Sequence, residues 1–372
     1  MKKTVGVIGG GQLARMMIVP ALELGLEIKV FAESADASAS MAATQIGDYT
    51  KIEEIRQFSQ GVDVITFDHE HVPLEVLEQL EAAGVAVRPA SSALRFAQNK
   101  IEMRKILGEL GLPIPDWAEA NTVEDIDRFL LKHQGIAIAK TPTGGYDGKG
   151  VRVIRSAEEI SDWLQLGAVL LEQKVNFVRE LASLCARRPS GDMRTWPVVE
   201  TVQKDGVCSE VISPAKDLSE QSLHLASEIA LKVAEGIGVT GMLAVELFET
   251  EAGELLINEL AMRPHNSGHF SIEGSKTSQF EQHLRAVLDL PLGSTEPNAP
   301  YSVMINLLGV DSENDLVSRY PAALAAHPSA KFHTYGKSAR AGRKMGHVTV
   351  VGSDLVKVVA EARAAAAVCL KA

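Results

Sequence analysis

The chain opens on blocks of apolar and polar positions whose spacing changes from one block to the next. Thr4–Ile8 is an apolar run with the length of a buried strand, Gly9–Gly11 turns the chain, and Gln12–Leu24 carries apolar residues at helical spacing. Glu27–Ala32 is the next strand. Helix Ile52–Ser59, strand Val62–Phe67, helix Leu74–Ala83 and strand Val85–Arg88 continue the alternation, which predicts a doubly wound α/β unit over residues 1–92.

A second unit follows. Ser91–Leu110 reads as one helix ending at Gly111, before Pro113 and Pro115. Val123–His133 (helix), Ile136–Lys140 and Val151–Arg155 (strands), Glu158–Leu166 (helix) and Ala168–Glu172 (strand) form a small lobe over residues 113–173. A larger lobe over 174–296 has strands Glu180–Arg187, Trp196–Val202, Val207–Ser213, Met242–Phe248 and Leu255–Leu260, with helices Leu218–Gly236 and Ser278–Leu288. Pro291, Gly293, Pro297 and Pro300 mark a linker. The segment 297–372 has strands Ser302–Leu308, Ala330–Tyr335 and Gly346–Val351 and ends in an alanine-rich helix. The fold class is α/β with α+β, built of a doubly wound first domain, a two-lobed second domain spanning 93–296, and a small β-rich third domain.

Composition narrows the function. The chain has 372 residues, 46% hydrophobic and 23% charged, with a formal net charge of -11. An acidic chain of this kind is a poor nucleic-acid or anionic-membrane binder. No apolar stretch has the length of a membrane span, and Cys185, Cys208 and Cys369 form no CxxC pair, so a cytoplasmic, reduced protein is expected.

Four groups of residues carry candidate chemistry. Between two strands lies Thr143–Gly150, with glycines at 144, 145, 148 and 150, a loop whose amides can cradle phosphate oxygens. It lacks the Lys-Ser/Thr ending of a P-loop, and Lys140 stands just before it. Glu246 and Glu259 each interrupt an apolar strand. A hairpin centred between Ala252 and Gly253 sets Thr250 opposite Leu255 and Glu246 opposite Glu259, a repulsive pair that a divalent cation relieves. Asn258 then falls on the other face unless a bulge intervenes. Arg263-Pro264-His265-Asn266-Ser267-Gly268-His269 is a dense set of anion donors, and Pro264 and Gly268 argue against the helix that zinc ligation at His265 and His269 needs. The basic stretch Lys331–Lys344 contains no acid and offers Lys337, Arg340, Arg343 and Lys344 to a phosphate. More weakly, Glu172-Gln173-Lys174-Val175 with Glu180 suits an adenine slot. Gly9–Gly11 with Glu33 only partly matches a dinucleotide fingerprint and is read as holding a different phosphate.

In this order the motifs resemble the ATP-grasp superfamily and, more closely, the N5-carboxyaminoimidazole ribonucleotide synthetases of purine synthesis. The likeness rests on Gly9–Met16, Ile65-Thr66-Phe67, Lys140 with Thr143–Gly150, Glu172–Val175 with Phe177 and Glu180, Asn258-Glu259-Leu260, Arg263–His269 and Gly342–His347. It implies a ligase that forms carboxyphosphate from ATP and bicarbonate and carboxylates 5-aminoimidazole ribonucleotide. Magnesium, with manganese as an alternative, and a homodimer are also implied. Carried over by position, Lys100, Lys140, Gly145, Tyr146, Asp147, Gly148, Lys149, Gly150, Glu172, Gln173, Lys174, Val175, Glu180, Gln203, Asn258 and Glu259 bind ATP. Glu246 and Glu259 bind the metal, and Arg263, His265, Asn266, His269 and Asp147 act on the reacting groups. Gln12, Leu13, Glu70, Tyr146, Asp147, Lys337, Arg343 and Lys344 hold the ribonucleotide. Four positions depart from the pattern: Lys100 for arginine, Gln203 for histidine, Met262 for proline and Asp68 for glutamate. Other ATP-grasp ligases, a nicotinamide oxidoreductase and a nucleotide-binding regulator are the competing readings.

Overall fold

The computed structural model describes residues 2–145, 150–204, 206–309 and 316–370. The first unit contains β1 (Thr4–Ile8), α1 (Gln12–Glu23), β2 (Glu27–Ala32), β3 (Ala43–Ile46), α2 (Ile52–Phe58), β4 (Val64–Phe67) and α3 (Leu74–Ala82). Its sheet is parallel in the order β3-β2-β1-β4. Val5, Val7, Ile8, Val64, Ile65 and Phe67 are buried, the continuous apolar run expected of strands covered on both faces. The strand expected at Val85–Arg88 is reduced to one bridge, Ile65 with Val87.

The single helix expected over Ser91–Leu110 is two: α4 (Ser91–Gln98) and α5 (Lys100–Glu109). Asn99 between them is extended, at φ -125° and ψ 110°, and its Oδ1 accepts the Ile101 and Glu102 amides. An asparagine side chain that satisfies first-turn donors starts a helix more readily than it continues one. Here it also re-aims α5, whose buried face carries Lys100, Ile101, Met103, Arg104 and Leu107.

The small lobe is a four-stranded antiparallel sheet, made of β5 (Trp117–Ala120), β6 (Ala137–Lys140), β7 (Val151–Ile154) and β8 (Val169–Gln173) in the order β5-β8-β6-β7. It packs against α6 (Val123–Lys132), which begins in a Thr122–Asp125 capping box. The helix expected at Glu158–Leu166 is a 3-10 turn, Ala157–Ile160, and a single helical turn, α7 (Ser161–Leu164).

The remaining strands form one nine-stranded sheet. β9 (Phe177–Arg187), β10 (Met193–Thr195), β11 (Val199–Lys204) and β12 (Val207–Ser213) precede α8 (Glu220–Ile237). Then come β13 (Gly241–Thr250), β14 (Leu255–Ala261), the short α9 (Ser271–Gly274) and α10 (Gln279–Val287). The C-terminal part adds β15 (Tyr301–Leu308), α11 (Leu316–Ala326), β16 (Lys331–Thr334), β17 (Lys344–Gly352) and α12 (Leu355–Leu370). The order is β14-β13-β9-β11-β12-β15-β17-β16, with β10 on β9. The C-terminal part is β-rich, as expected, but β15 pairs with β12 along Ile305–Glu210 and Val303–Ile212, so it extends the larger lobe's sheet. That continuity brings the basic segment between β16 and β17 to the same side as the β13–β14 hairpin.

Candidate active site

Glu246 and Glu259 are cross-strand partners on β13 and β14. The turn differs from the expected one. Thr250 pairs with Glu254 through its amide (2.9 Å), Gly253 takes φ +77°, and Glu249, not Thr250, stands opposite Leu255. A register shift between Glu246 and Leu247 restores the acid pair and leaves Asn258 as the extra residue. A bulge re-aims the side chain it carries, and Asn258 lies on the cleft side with Glu246 and Glu259.

Burial, then the neighbouring Glu259 and Glu180 charges, lift Glu246 to a pKa of about 7. His265 Nε2 lies 3.4 Å from Glu246 Oε1 and Lys100 Nζ lies 3.0 Å from Glu259 Oε1. No group of three or more His, Cys, Asp or Glu among the described residues has the geometry of a metal cage. Two facing carboxylates under mutual repulsion nevertheless fit magnesium, which is held by one or two carboxylates with phosphates and water.

Lys140, at the end of β6, donates to Glu172 Oε2 (2.7 Å) and to Asn258 Oδ1 (3.1 Å). Glu172 is also paired at 2.6 Å with Arg104, whose guanidinium is fully buried and donates to the Ile257 and Asn258 carbonyls at 3.0 and 2.7 Å. Burial opposes ionisation of Glu172, but Arg104 and Lys140 outweigh it and hold its pKa below the ordinary value. The sequence reading missed Arg104. The signal was present: it stands four residues after Lys100, on the stripe that carries Ile101 and Leu107.

Gln173, Lys174, Val175, Glu180 and Gln203 line the same cleft. Burial raises the Glu180 pKa and a hydrogen bond from Gln203 opposes the rise. Phe177 stacks on Phe248 beside them, with centroids 4.6 Å apart. Lys100 and Gly145 meet at 3.5 Å, and the Gly150 carbonyl accepts the Thr141 amide at 3.0 Å, closing the glycine loop's base. Tyr146, Asp147, Gly148 and Lys149 lie outside the described residues.

Arg263 Nε lies 3.2 Å from Glu70 Oε2, and Glu70 Oε1 accepts the Met262 amide at 2.6 Å, so the first unit reaches directly into the loop after β14. His265, Asn266 and His269 line the cleft with Arg263. Apart from a contact with the Cys208 thiol, the buried Asn266 amide makes no hydrogen bond among the described residues, which fits a residue that completes its contacts on a ligand. Burial, followed by Arg263 for His265 and by Lys344 for His269, keeps both imidazoles neutral, with pKa values well below the usual range. Gln279, which the sequence reading also missed, contacts both histidine residues.

From the other side, Lys337 Nζ donates to Gln12 Oε1 and sits over the Tyr335 ring at 5.8 Å. Arg343 Nη1 donates to the carbonyl and hydroxyl of Ser338, both at 3.1 Å, and Leu13 and Lys344 line the cleft beside them. The Gly9–Gly11 loop is occupied differently from a dinucleotide site. Asp68 Oδ1 accepts the Ala14 amide at 2.7 Å and Glu33 Oε2 accepts the Gly10 amide at 3.1 Å. Protein carboxylates thus stand where a pyrophosphate would need amide donors. The described candidate residues, Gly150 apart, all border one cleft of about 1140 Å³.

Three family comparisons cover most of the chain. Residues 1–98 match the ribonucleotide synthetase preATP-grasp domain, 105–280 the ATP-grasp domain, and 302–361 the phosphoribosylaminoimidazole carboxylase C-terminal domain. The N5-carboxyaminoimidazole ribonucleotide synthase of Mycobacterium tuberculosis is 46% identical over 371 residues, covering 97% of this chain and 86% of that protein. Carboxyaminoimidazole ribonucleotide synthase from Aspergillus clavatus, complexed with ATP, superposes with a TM-score of 0.90 at 32% identity, covering 99% of this chain and 98% of that one. The structure of that fungal enzyme with ADP and 5-aminoimidazole ribonucleotide gives 0.89 at 31% identity, covering 99% and 98%. The chain therefore belongs to the N5-carboxyaminoimidazole ribonucleotide synthase family of the ATP-grasp superfamily.

Proposed function

We propose that this cleft joins ATP, bicarbonate and 5-aminoimidazole ribonucleotide. The chain is an ATP-dependent ligase of purine biosynthesis, and 5-aminoimidazole ribonucleotide is its substrate. The observation that carries the finer reading is the confluence of three charge environments in one cleft: Lys140 with Glu172, the Glu246–Glu259 pair, and the cations from Arg263 to Lys344.

In this reading Lys140 and Lys100 neutralise phosphate charge, while Gln173, Lys174, Val175, Glu180 and Gln203 hold the base and ribose. Glu246 and Glu259, with Asn258 beside them, hold magnesium or manganese. The metal, when bound, supplies electrostatic stabilisation of the transferring phosphoryl oxygens. Bicarbonate is a poor electrophile, and phosphorylation gives it a leaving group. Arg263 and Asn266 then orient the carboxyphosphate, and Gln12, Leu13, Glu70, Lys337, Arg343 and Lys344 hold the ribonucleotide. Gly145 and Gly150 belong to the ATP-binding set in this reading, and the roles of Tyr146, Asp147, Gly148 and Lys149 are those that the family resemblance implies.

The homodimer is the one that the family resemblance implies; on the first unit, the exposed apolar side chains are Val19 and Leu22 of α1, Met41 and Ile46. Three free cysteines support a reducing, cytoplasmic setting. The test is phosphate release with each substrate omitted in turn, together with identification of the carboxylated product. Full release without bicarbonate would overturn the carboxyphosphate route.

A further inference from the structure

The loop after β14 is joined to the first turn of α10 by a single buried amide. Gln279 Oε1 accepts the His265 backbone N–H at 2.8 Å, and Gln279 Nε2 donates to the His265 carbonyl at 2.8 Å. The same Nε2 lies 2.8 Å from His269 Nδ1. Gln279 is fully buried, and its own backbone N–H donates to Ser271 Oγ at 2.9 Å, which in turn donates to the Gly268 carbonyl at 2.6 Å. Gly268 leaves the room this needs, since a Cβ there would lie 2.3 Å from Gln279 Oε1.

These contacts decide a protonation state. A backbone N–H can only donate and a backbone carbonyl can only accept, so His265 determines which end of the Gln279 amide is oxygen and which is nitrogen. The amide nitrogen has two hydrogens. One goes to the His265 carbonyl and the other to His269 Nδ1, which must accept it. A neutral imidazole that accepts at Nδ1 carries its proton on Nε2. Burial, with Lys344, His333 and Arg263 nearby, favours the neutral ring.

We propose that Gln279 is a positioning residue that locks His269 as the Nε2–H tautomer, so that His269 donates a hydrogen bond to an oxygen of the carboxyl donor and does not accept the substrate amine's proton. This deepens the ligase reading above, and rests on it for the reaction but not for the tautomer. An Nε2 that already holds its proton has no lone pair for general-base work.

The test has two independent arms. In the full-length protein labelled with nitrogen-15 histidine, the His269 resonances are assigned by their loss in His269→Gln. An unprotonated Nδ1 and a protonated Nε2 are expected in the wild type, and a protonated Nδ1 would overturn the assignment whatever the enzyme's activity. In Gln279→Glu the carboxylate cannot donate, so the proton moves to Nδ1 and kcat falls while KM for ATP stays near wild type. The second arm compares replacements of His269. Glutamine offers a donor amide near the Nε2 position but no base, so His269→Gln should keep kcat within about tenfold of wild type while His269→Ala loses about a hundredfold. Equal losses in the two variants would show proton acceptance and sink the proposal. The wild-type spectrum needs no variant of Gln279 to fold.

Discussion

Arg104 and Glu172 form a fully enclosed ion pair, 2.6 Å from Nε to Oε1, that ties helix α5 to the small lobe's strand β8. The guanidinium also closes on the Ile257 and Asn258 carbonyls, so one side chain joins three elements around the cleft. Removing Arg104 leaves the buried Glu172 with Lys140 as its remaining cation and deprives the Ile257 and Asn258 carbonyls of their donor. Arg104→Met should therefore destabilise the protein by about 3–5 kcal/mol. Denaturant unfolding measures this, and a loss under about 1 kcal/mol would contradict the enclosed pair.

Glu259 faces Glu246 and is proposed to hold the metal with it. Glu259→Gln removes one ligand charge and should lower ATP turnover by about a hundredfold. The magnesium concentration for half-maximal activity should rise with it. Near-wild-type turnover at limiting magnesium would remove Glu259 from the metal site.

Arg343 belongs to the basic segment between β16 and β17 and lines the cleft from a different element than Lys140 on β6 and Glu172 on β8. Arg343→Ala should raise KM for the ribonucleotide about tenfold or more through loss of a charge-assisted contact, with little change for ATP. Steady-state kinetics with each substrate varied separates the two. A raised KM for ATP with an unchanged one for the ribonucleotide would reverse the division of the cleft.

Glu33 carries an acid-stability signature. Burial opposes its ionisation, but hydrogen bonds from His69 and the Gly10 amide prevail and bring its pKa from 4.5 to about 2. Its folded-state pKa is depressed, so its contribution is present above about 4.5 and is lost as the pH falls through about 2. Because the side chain is 41% exposed, solvent screening limits that contribution to about 1 kcal/mol. Glu33→Gln should flatten the pH dependence of stability across that window in unfolding titrations. An unchanged slope would mean that the His69 and Gly10 contacts do not persist in solution.

The hairpin shows how far linear reasoning reaches. Counting back from the expected turn correctly placed Glu246 opposite Glu259, although the turn itself is displaced by one residue and Thr250 pairs with Glu254. The bulge at Asn258 cancels the displacement. Alternation along a strand states which residues share a face, but a bulge is decided by what packs on both sides, here the Arg104 guanidinium on the Asn258 carbonyl and Lys140 on its side chain. The break of the Ser91–Leu110 helix was legible in Asn99, a strong cap residue; helical spacing on both sides of it concealed the break. Gln279 was not legible at all, because its hydrogen-bonding partners lie ten and fourteen residues away across a loop.

The local periodicities, the glycine loop with its neighbouring lysine, the pair of strand acids and the donor cluster that follows them were all legible in the linear chain. These are properties of residues within a few positions of one another, where spacing and side-chain chemistry suffice. Long-range packing alone sets the C-terminal strands onto the larger lobe's sheet, makes Arg104 a buried counter-charge of Glu172, and brings the Gln279 amide onto His269. Each of those depends on a contact between distant parts of the chain, whose energy comes from burial and hydrogen-bond satisfaction, and no pattern of neighbours in sequence records it.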